Sequence, residues 1–381
     1  MFVAWRDLRF ARGRFALIAT VVALIMLLVG FLAGLTGGLA HQNISAVLAM
    51  PGDRLVLAAP DGEKPDFAAS DITAETQKAW TEADGVTGVL PIGVVQGRAE
   101  ITAPAGAQSA GAPSAGAQSA GAAGVAVVGL PREDSAGRAP RSTALTALAP
   151  ASDGEVGLSA GAAEELDAHV GDTLTIVGQD FTVASIGEDV WYSHTAVIAL
   201  TPSAWASVDE RFGGTGDPTV LAVTGEADWD ALASSTSTSA ASPLASLRAL
   251  STFTSEVGSL ALMIGMLFGV SALVVGAFFT VWTMQRAGDV AVLKALGAST
   301  ASLVRDALGQ AAVVLAIGIG AGLLAVVGLG ALAGTALPFL LSPLTTLVPA
   351  LAMAVLGLAG AAFALRSVTS ADPLTALGST R

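Results

Sequence analysis

The chain has 381 residues, of which 53% are hydrophobic and only 13% are charged. A typical soluble domain has about 25% charged residues, so this composition excludes an ordinary soluble globular protein. The formal net charge is −13, and we expect no nucleic-acid partner. There is no cysteine, so any domain outside the membrane must fold on its own hydrophobic core rather than on disulfides.

Charged residues are missing from three long segments, and these segments predict membrane-spanning helices. Asp, Glu, Lys and Arg are absent from residues 15–52, 257–285 and 307–365. A bilayer core about 30 Å thick requires about 20 apolar residues of helix, and lipid offers no other partners for backbone groups. The third segment is long enough for two spans with a turn near 338–343. The first run is longer than the hydrophobic part of a signal peptide, so we expect an uncleaved helix.

The distribution of cations predicts the orientation of these spans. The terminal and inter-span segments carry nine cations and four acids, whereas residues 41–256 carry nine cations and 27 acids. Positively charged flanks stay in the cytoplasm. We therefore predict a multi-pass protein of the plasma membrane with both termini cytoplasmic and an acidic extracytoplasmic insert.

The predicted organisation follows in chain order. It comprises a cytoplasmic amphipathic helix (1–14), a first span (15–40), an extracytoplasmic domain (41–250) with a flexible loop (103–124), a second span (251–284), a cytoplasmic loop (285–304), a third span (305–334), an external turn (335–346), a fourth span (347–366) and a cytoplasmic tail (367–381). The flexible loop contains the duplication AGAQSAGAPS–AGAQSAGAAG, which lacks charges and large side chains and cannot form a core.

Within the insert, short β-branched runs predict strands and a mixed α+β domain. Strands are expected at 54–58, 86–101, 125–129 and 219–223, a helix at 158–169, and a hairpin from 173–177 and 181–186. The polar run 232–242 predicts a linker back to the membrane. A continuous helix from about 244 to 284 would then be roughly 60 Å long and could act as a lever.

The sequence carries no recognisable catalytic constellation. The histidines, His41, His169 and His194, belong to no HExxH motif, and the phosphate-binding GxxxxGK[ST] pattern does not occur. We therefore expect no catalytic residues, no intrinsic cofactor and no ATPase activity in this chain.

The loop RAGDVAVLKALGAS, residues 286–299, is the most informative segment. Asp289 can cap a short helix, and Gly297 can end it. Val290, Leu293 and Leu296 would form one apolar face. Such a helix either fits a groove on another protein or lies at the lipid interface.

This loop resembles the "R..EI..LKALGAS" loop of the MacB/FtsX-type ABC permeases. The ADPLTAL ending (371–377) and the VGDTL and FTV segments (170–174 and 181–183) are similar to other passages of that family. The resemblance implies an integral membrane protein with four transmembrane α-helices and a mixed α+β extracytoplasmic domain between helices 1 and 2, the type VII ABC fold.

The family resemblance also implies how the chain would work. A homodimer in the lipid bilayer would be driven by a separate ABC ATPase subunit, which binds ATP and Mg. The motion would be transmitted mechanically, without a through-channel. The coupling helix on that subunit would include Asp289, Val290, Leu293, Lys294, Leu296 and Gly297.

The segment WYSHTAVI (191–198) resembles the "YSHTPVV" stretch of the DevC/HrtB-like branch, which includes haem exporters. This implies haem as substrate and an HrtA-like ATPase as partner. Haem iron needs an axial ligand such as His or Met, and the candidate haem-binding residues are His41, Met50, Arg54, Met263 and Met266. His41 would ligate the iron and Arg54 would balance the propionates. Alternatively, His41 is a solvated interfacial residue and the methionines are packing residues.

Other functions remain open from the sequence. The cargo could be another amphipathic substrate, such as a lipid, peptide or antibiotic. The chain could instead be an FtsX-like signalling protein that regulates a cell-wall hydrolase, or a lone membrane-anchored receptor. We expect His194 to be structural.

Overall fold

The computed structural model describes residues 12–60, 63–103, 121–132, 143–285, 288, 297, 299–334 and 337–369. The chain divides into a helical unit, drawn from both ends of the sequence, and an α/β unit, Ala40–Val257. The α-helices are α1 (Arg12–Leu48), α2 (Ala74–Glu82), α3 (Ala160–Leu166), α4 (Pro202–Phe212), α5 (Trp229–Ser235), α6 (Pro243–Ser246), α7 (Ser251–Gln285), α8 (Thr300–Ala333) and α9 (Pro343–Thr369).

The helical unit contains helices that can cross a membrane. In the described residues, α1, α7, α8 and α9 are long and apolar enough to do so. Their shared core includes Val22, Val275, Leu315 and Met353. A Cβ at Gly322 of α8 would lie 2.6 Å from the carbonyl oxygen of Ala23, so glycine allows α1 and α8 to approach closely, as small residues do between membrane helices.

The α/β unit is built on one bent sheet. Its strands are β1 (Arg54–Ala58), β2 (Val86–Ala103), β3 (Ala122–Gly129), β4 (Glu155–Leu158), β5 (Thr173–Ile176), β6 (Gln179–Ile186), β7 (Trp191–Tyr192), β8 (Thr195–Leu200), β9 (Val220–Gly225) and β10 (Thr238–Ala241). The order is β10-β1-β9-β2-β3-β8-β4-β6-β5, with β7 paired to β8 and β5 paired back to β2.

Strand β2 organises this sheet because it belongs to both halves. Its first part pairs antiparallel with β9, its middle with β3 and its last residues with β5. The pairings close β2, β3, β8, β4, β6 and β5 into a ring. Only the β3–β8 and β4–β6 pairs are parallel among the strands of the described chain.

Three hydrophobic clusters hold the unit together. One lies under α3 and α4 against the strands of the ring, with Leu158, Phe181 and Trp205 among its members. A second joins the last turns of α1 to the sheet through Val47 and Met50, and a third packs α2 and α5 against β1 and β9. The end of α1 is therefore part of the α/β unit's core.

The predicted strands and hairpin are confirmed. Strand β1 has the predicted bounds, β2 and β3 extend beyond theirs, and β5 and β6 form the hairpin around Gly178. Glycine is required at this turn because its φ is +73°. The predicted helix at 158–169 is shorter, since Ser159 caps α3 and Asp167 ends it in the left-handed conformation.

Two predictions about connections are wrong. Helix α1 continues past the predicted end of the first span to Leu48, and the end of the span itself stays a prediction. The expected linker 232–242 contains α5 and the edge strand β10, which pairs with β1. The expected continuous helix from 244 is interrupted at Leu250, whose ψ is 107°, because Leu247 and Leu250 turn inward and are each 3% exposed. Helix α1 has 37 residues and is about 55 Å long at 1.5 Å per residue.

Several predicted segments lie outside the described residues. These are most of the amphipathic helix 1–14, most of the duplicated loop 103–124, the greater part of the loop 285–304, and the tail from residue 370.

Candidate functional site

A polar cluster joins the α/β-unit ends of α1 and α7 to the turn between β7 and β8. We call Asn43, Ser193, His194, Thr252 and Glu256 the clasp. Nε2 of His194 lies 2.9 Å from Oε2 and 3.1 Å from Oε1 of Glu256. The Asn43 side-chain amide donates to the same Oε2 at 3.2 Å. Helices α1 and α7, which both continue into the helical unit, therefore contact the same hairpin.

The remaining contacts complete the clasp. The Thr252 hydroxyl donates to Oδ1 of Asn43 at 3.3 Å. The hydroxyls of Ser193 and Thr252 lie 3.3 Å apart. Nδ2 of Asn43 is also 3.3 Å from Nε2 of His194, and both nitrogens can donate to Glu256 when Nε2 carries the proton. The carboxylate thus acts as the common acceptor.

The hairpin turn that presents His194 has an unusual backbone. Ser193 and His194 have φ angles of 45° and 65°, a region that non-glycine residues occupy at a cost of order 1–3 kcal/mol. The backbone N–H of Ser193 donates to the carbonyl of Asn43 at 3.0 Å, and that of His194 to the carbonyl of Gln42 at 2.9 Å. Helix α1 therefore stabilises the strained turn through its backbone as well as its side chain.

Burial differs across the clasp and decides which contacts matter most. Asn43 is 1% exposed, whereas the side chains of His194 and Glu256 are 30% and 42% exposed. A half-exposed ion pair contributes little to stability. A buried amide without its partners costs about 1–3 kcal/mol, so Asn43 fixes the geometry of the pair.

His41 lies on α1, away from the clasp contacts. Its Nε2 is 3.8 Å from Oδ2 of Asp189. Asp189 also accepts from the indole N–H of Trp191 at 2.6 Å and from the amide of Gly161 at 3.1 Å. Burial, followed by the charges of Asp189 and Glu164, raises the pKa of Glu165. The Asp189 carboxylate therefore lies beside His41 and also acts on Glu165.

The other haem candidates make separate contacts. Met50 is 3% exposed and packs in the core beside α1, which is the packing role considered above. The Arg54 guanidinium lies 5.9 Å from the ring centre of Trp229. Met263 and Met266 are 51% and 64% exposed on α7. In the described chain no group of three or more His, Cys, Asp or Glu residues could hold a metal ion.

The coupling residues Asp289, Val290, Leu293, Lys294 and Leu296 lie outside the described residues. Gly297 is described and has φ of 92°, the conformation that glycine adopts at helix ends.

The main residues of the clasp were not predicted from sequence. His194 was expected to be structural, and Asn43 and Glu256 were only boundary residues. The available signal was the position of Glu256, a carboxylate at the edge of an apolar run of more than 25 residues, which requires a polar partner nearby.

Comparison with known families assigns most of the chain. Residues 17–238 match the MacB-like periplasmic core domain, and residues 261–373 match the C-terminal FtsX-like permease domain. The first match alone covers more than half of the chain.

Curated relatives resemble the whole chain. This chain is 24% identical over 385 residues to the putative hemin transport system permease protein HrtB of Staphylococcus haemolyticus (strain JCSC1435), with 99% of each chain covered. It is 21% identical over 394 residues to the protein of the same name from Staphylococcus epidermidis (strain ATCC 12228 / FDA PCI 1200), again with 99% of each covered.

Solved structures of extracytoplasmic domains are also similar. The extracellular domain of the noncanonic ABC-type transporter YknZ from Gram-positive bacteria matches with a TM-score of 0.28 and 15% identity, over 48% of this chain and 87% of that one. The periplasmic region of MacB from Actinobacillus actinomycetemcomitans matches with a TM-score of 0.32 and 11% identity, over 53% and 94%. By its matches to both family domains, this chain belongs to the MacB/FtsX-type ABC transporter permeases.

Proposed function

We propose that this chain is the permease subunit of a haem exporter that removes haem from the membrane and protects the cell from it. The observation that carries the proposal is similarity over 99% of both chains to a permease named for hemin transport. The α/β unit would be extracytoplasmic and both termini cytoplasmic, as the distribution of cations favours.

The energy source would be a separate, HrtA-like ABC ATPase. The sequence has no phosphate-binding loop of its own, so ATP and Mg would bind to the partner. Two copies of the permease would pair with two ATPase subunits. The helix predicted at 289–297 would receive the motion of the ATPase and pass it to α7.

The clasp supports a mechanical route from α7 to the extracytoplasmic domain. Glu256 lies in the first turns of α7, and its carboxylate holds both His194 of the β7–β8 turn and Asn43 of α1. A displacement of α7 would therefore reach the hairpin and α1 through the same carboxylate. No through-channel is needed for such a transfer.

His41 is the proposed haem ligand, and its surroundings suit that role. Its side chain is 38% exposed, and the Asp189 carboxylate lies 3.8 Å from Nε2. Metal-binding histidines commonly donate their second ring N–H to a carboxylate, which would leave Nδ1 for iron. Met263 and Met266 stay candidate second ligands, because their thioethers are exposed, and Arg54 stays a candidate partner for the propionates.

Replacement of His41 by alanine should weaken haem binding at least tenfold. The measurement is a titration of the purified full chain with haem, followed by the Soret band. His169→Ala is the matched control, because His169 is 78% exposed beside Asp172 in a different part of the unit. A wild-type protein without a Soret shift would contradict the haem assignment, and equal binding by both variants would contradict His41 as ligand.

Replacement of Leu293 by aspartate should reduce recovery of the ATPase about tenfold when tagged permease is purified from its own host. A charge on the predicted apolar face opposes burial in a groove. Leu244→Asp is the control, because Leu244 is 72% exposed on the α/β unit. If no ATPase co-purifies with the wild type, the permease proposal fails. A deletion strain with normal haem tolerance and altered wall turnover would favour the signalling function.

A further inference from the structure

A cleft of about 270 Å³ opens on the α/β unit between residues 67–71, strand β2 and the loop 214–219. Its apolar wall is formed by Phe67, Tyr192 and Trp205, and its acidic side by Asp71, Asp209 and Asp217. His41, Met263 and the clasp residues do not line it. The cleft is thus separate from the proposed haem ligands.

Two of the three carboxylates of the cleft, those of Asp71 and Asp209, are held by hydrogen bonds, and no cation lines the cleft. The Thr215 hydroxyl lies 2.9 Å from both carboxylate oxygens of Asp71, and the amide of Gly216 donates to Oδ2 of Asp209 at 3.0 Å. These contacts occupy part of the lone-pair capacity of each carboxylate. No Lys, Arg or His is among the residues that line the cleft, so it offers three negative charges without a cation.

Tyr192 supplies an independent indication of a ligand. Its side chain lines the cleft and the residue is only 5% exposed. In the described part of the chain its hydroxyl makes no hydrogen bond with the protein and still reaches solvent, so a ligand can approach this oxygen. Burial, followed by the charge of Asp66, raises the pKa of this phenol. The hydroxyl therefore stays protonated and available as a donor or acceptor.

We propose that this cleft binds a small organic cation, a primary ammonium or guanidinium group on a short apolar or aromatic body. The N–H groups of such a cation would bind the carboxylates and the Tyr192 oxygen, all of which can accept. Aromatic rings favour a cation close by, and the body of the ligand would lie against the apolar wall. Anionic molecules, including haem propionates, would be repelled, so the proposal stands whether or not haem is the cargo.

The position of Tyr192 gives this site a connection to the clasp. Tyr192 pairs with Thr195 across the turn that carries Ser193 and His194. Its ring also packs edge-on against Phe67 at 6.2 Å between ring centres. A ligand bound against Tyr192 would therefore contact the hairpin that α1 and α7 hold.

The test is calorimetric titration of the purified full chain in detergent with benzylammonium, benzyl alcohol and benzoate. These probes share one ring and differ in charge. We expect benzylammonium to bind at least tenfold more tightly than the other two, with affinity falling as salt rises. The double variant Asp71→Asn/Asp217→Asn should bind benzylammonium at least tenfold more weakly than wild type. The control, Asp84→Asn/Asp230→Asn, makes the same change of charge at exposed sites outside the cleft and should bind as wild type does.

The variant Tyr192→Phe distinguishes binding in the cleft from general attraction of a cation to the acidic α/β unit. It keeps the ring and every carboxylate, and we expect it to weaken benzylammonium binding about threefold to tenfold, the worth of one hydrogen bond. Absence of benzylammonium binding, equal binding of benzyl alcohol, or unchanged affinity in the cleft double variant would each overturn the proposal. Failure of haem binding or ATPase association would leave these titrations unaffected.

Discussion

Replacement of Glu256 by alanine is expected to lower export more than tenfold while ATP hydrolysis by the assembled complex stays within about twofold of wild type. Glu256 is the common acceptor for the side chains of His194 and Asn43. Without the Glu256 carboxylate, a movement of α7 would not be transmitted to the β7–β8 turn. The measurements are cargo export from reconstituted vesicles and phosphate release by the same preparation.

The physical reason lies mainly in Asn43. It is 1% exposed, so its amide has little access to water once Glu256 is removed, and the loss should cost about 1–3 kcal/mol at the joint. The half-exposed His194–Glu256 pair adds less on its own. Glu256→Gln keeps one acceptor oxygen for Asn43 and should therefore show an intermediate loss of export.

Glu226→Ala is the matched control for this prediction. Glu226 is an exposed glutamate of the same unit, and its backbone N–H, not its side chain, makes the contact with Gly85. Export by this variant should equal that of wild type. Normal export by Glu256→Ala, or a parallel fall of export and ATP hydrolysis, would exclude the clasp as the transmitting joint.

Local patterns were sufficient to predict much of the fold. Four apolar segments and the alternation of β-branched runs identified the helices α1, α7, α8 and α9 and the strands β1, β2, β3, β5, β6 and β9. Span length depends on bilayer thickness and strand patterns on the side-chain period. Both rules operate within one segment, and they need no knowledge of distant neighbours.

The failures all involve packing between distant segments. The polar run 232–242 has no apolar pattern, yet Thr238–Ala241 is a strand because β1 offers it an edge. Leu250 lies in a run compatible with helix, and burial in the core shared with α1 interrupts that helix. Tertiary contacts override local propensity in each case.

The candidate site was predicted only in part. The family motif drew attention to residues 191–198, but not to their partners. Asn43 and Glu256 are 213 residues apart in the sequence, and no local pattern relates an amide to a carboxylate over that separation. The left-handed backbone of Ser193 and His194 is also unexpected from residue type, because it depends on the carbonyl groups of α1.

Replacement of Trp205 by alanine should destabilise the α/β unit by about 3–5 kcal/mol, the usual cost of removing a buried tryptophan. Trp205 is 3% exposed and its indole N–H donates to the carbonyl of Val127 at 3.1 Å. A Cβ at Gly129 would lie 2.7 Å from the Trp205 ring, so the strand has glycine where the indole packs. The substitution removes the ring, its hydrogen bond and the contact with β3 together.

Phe212→Ala is the control on the same helix, because Phe212 is 40% exposed. From the smaller area that this side chain buries, its removal should lower the free energy of unfolding by about 1 kcal/mol. Pulse proteolysis of the full chain in detergent across a urea series would report the unfolding of the α/β unit. Since each 1.4 kcal/mol changes an equilibrium tenfold, Trp205→Ala should raise the unfolded fraction at least a hundredfold. A midpoint shift no larger than that of Phe212→Ala would show that α4 is dispensable to the closed ring of strands, and that the wall of the cleft is supported from elsewhere.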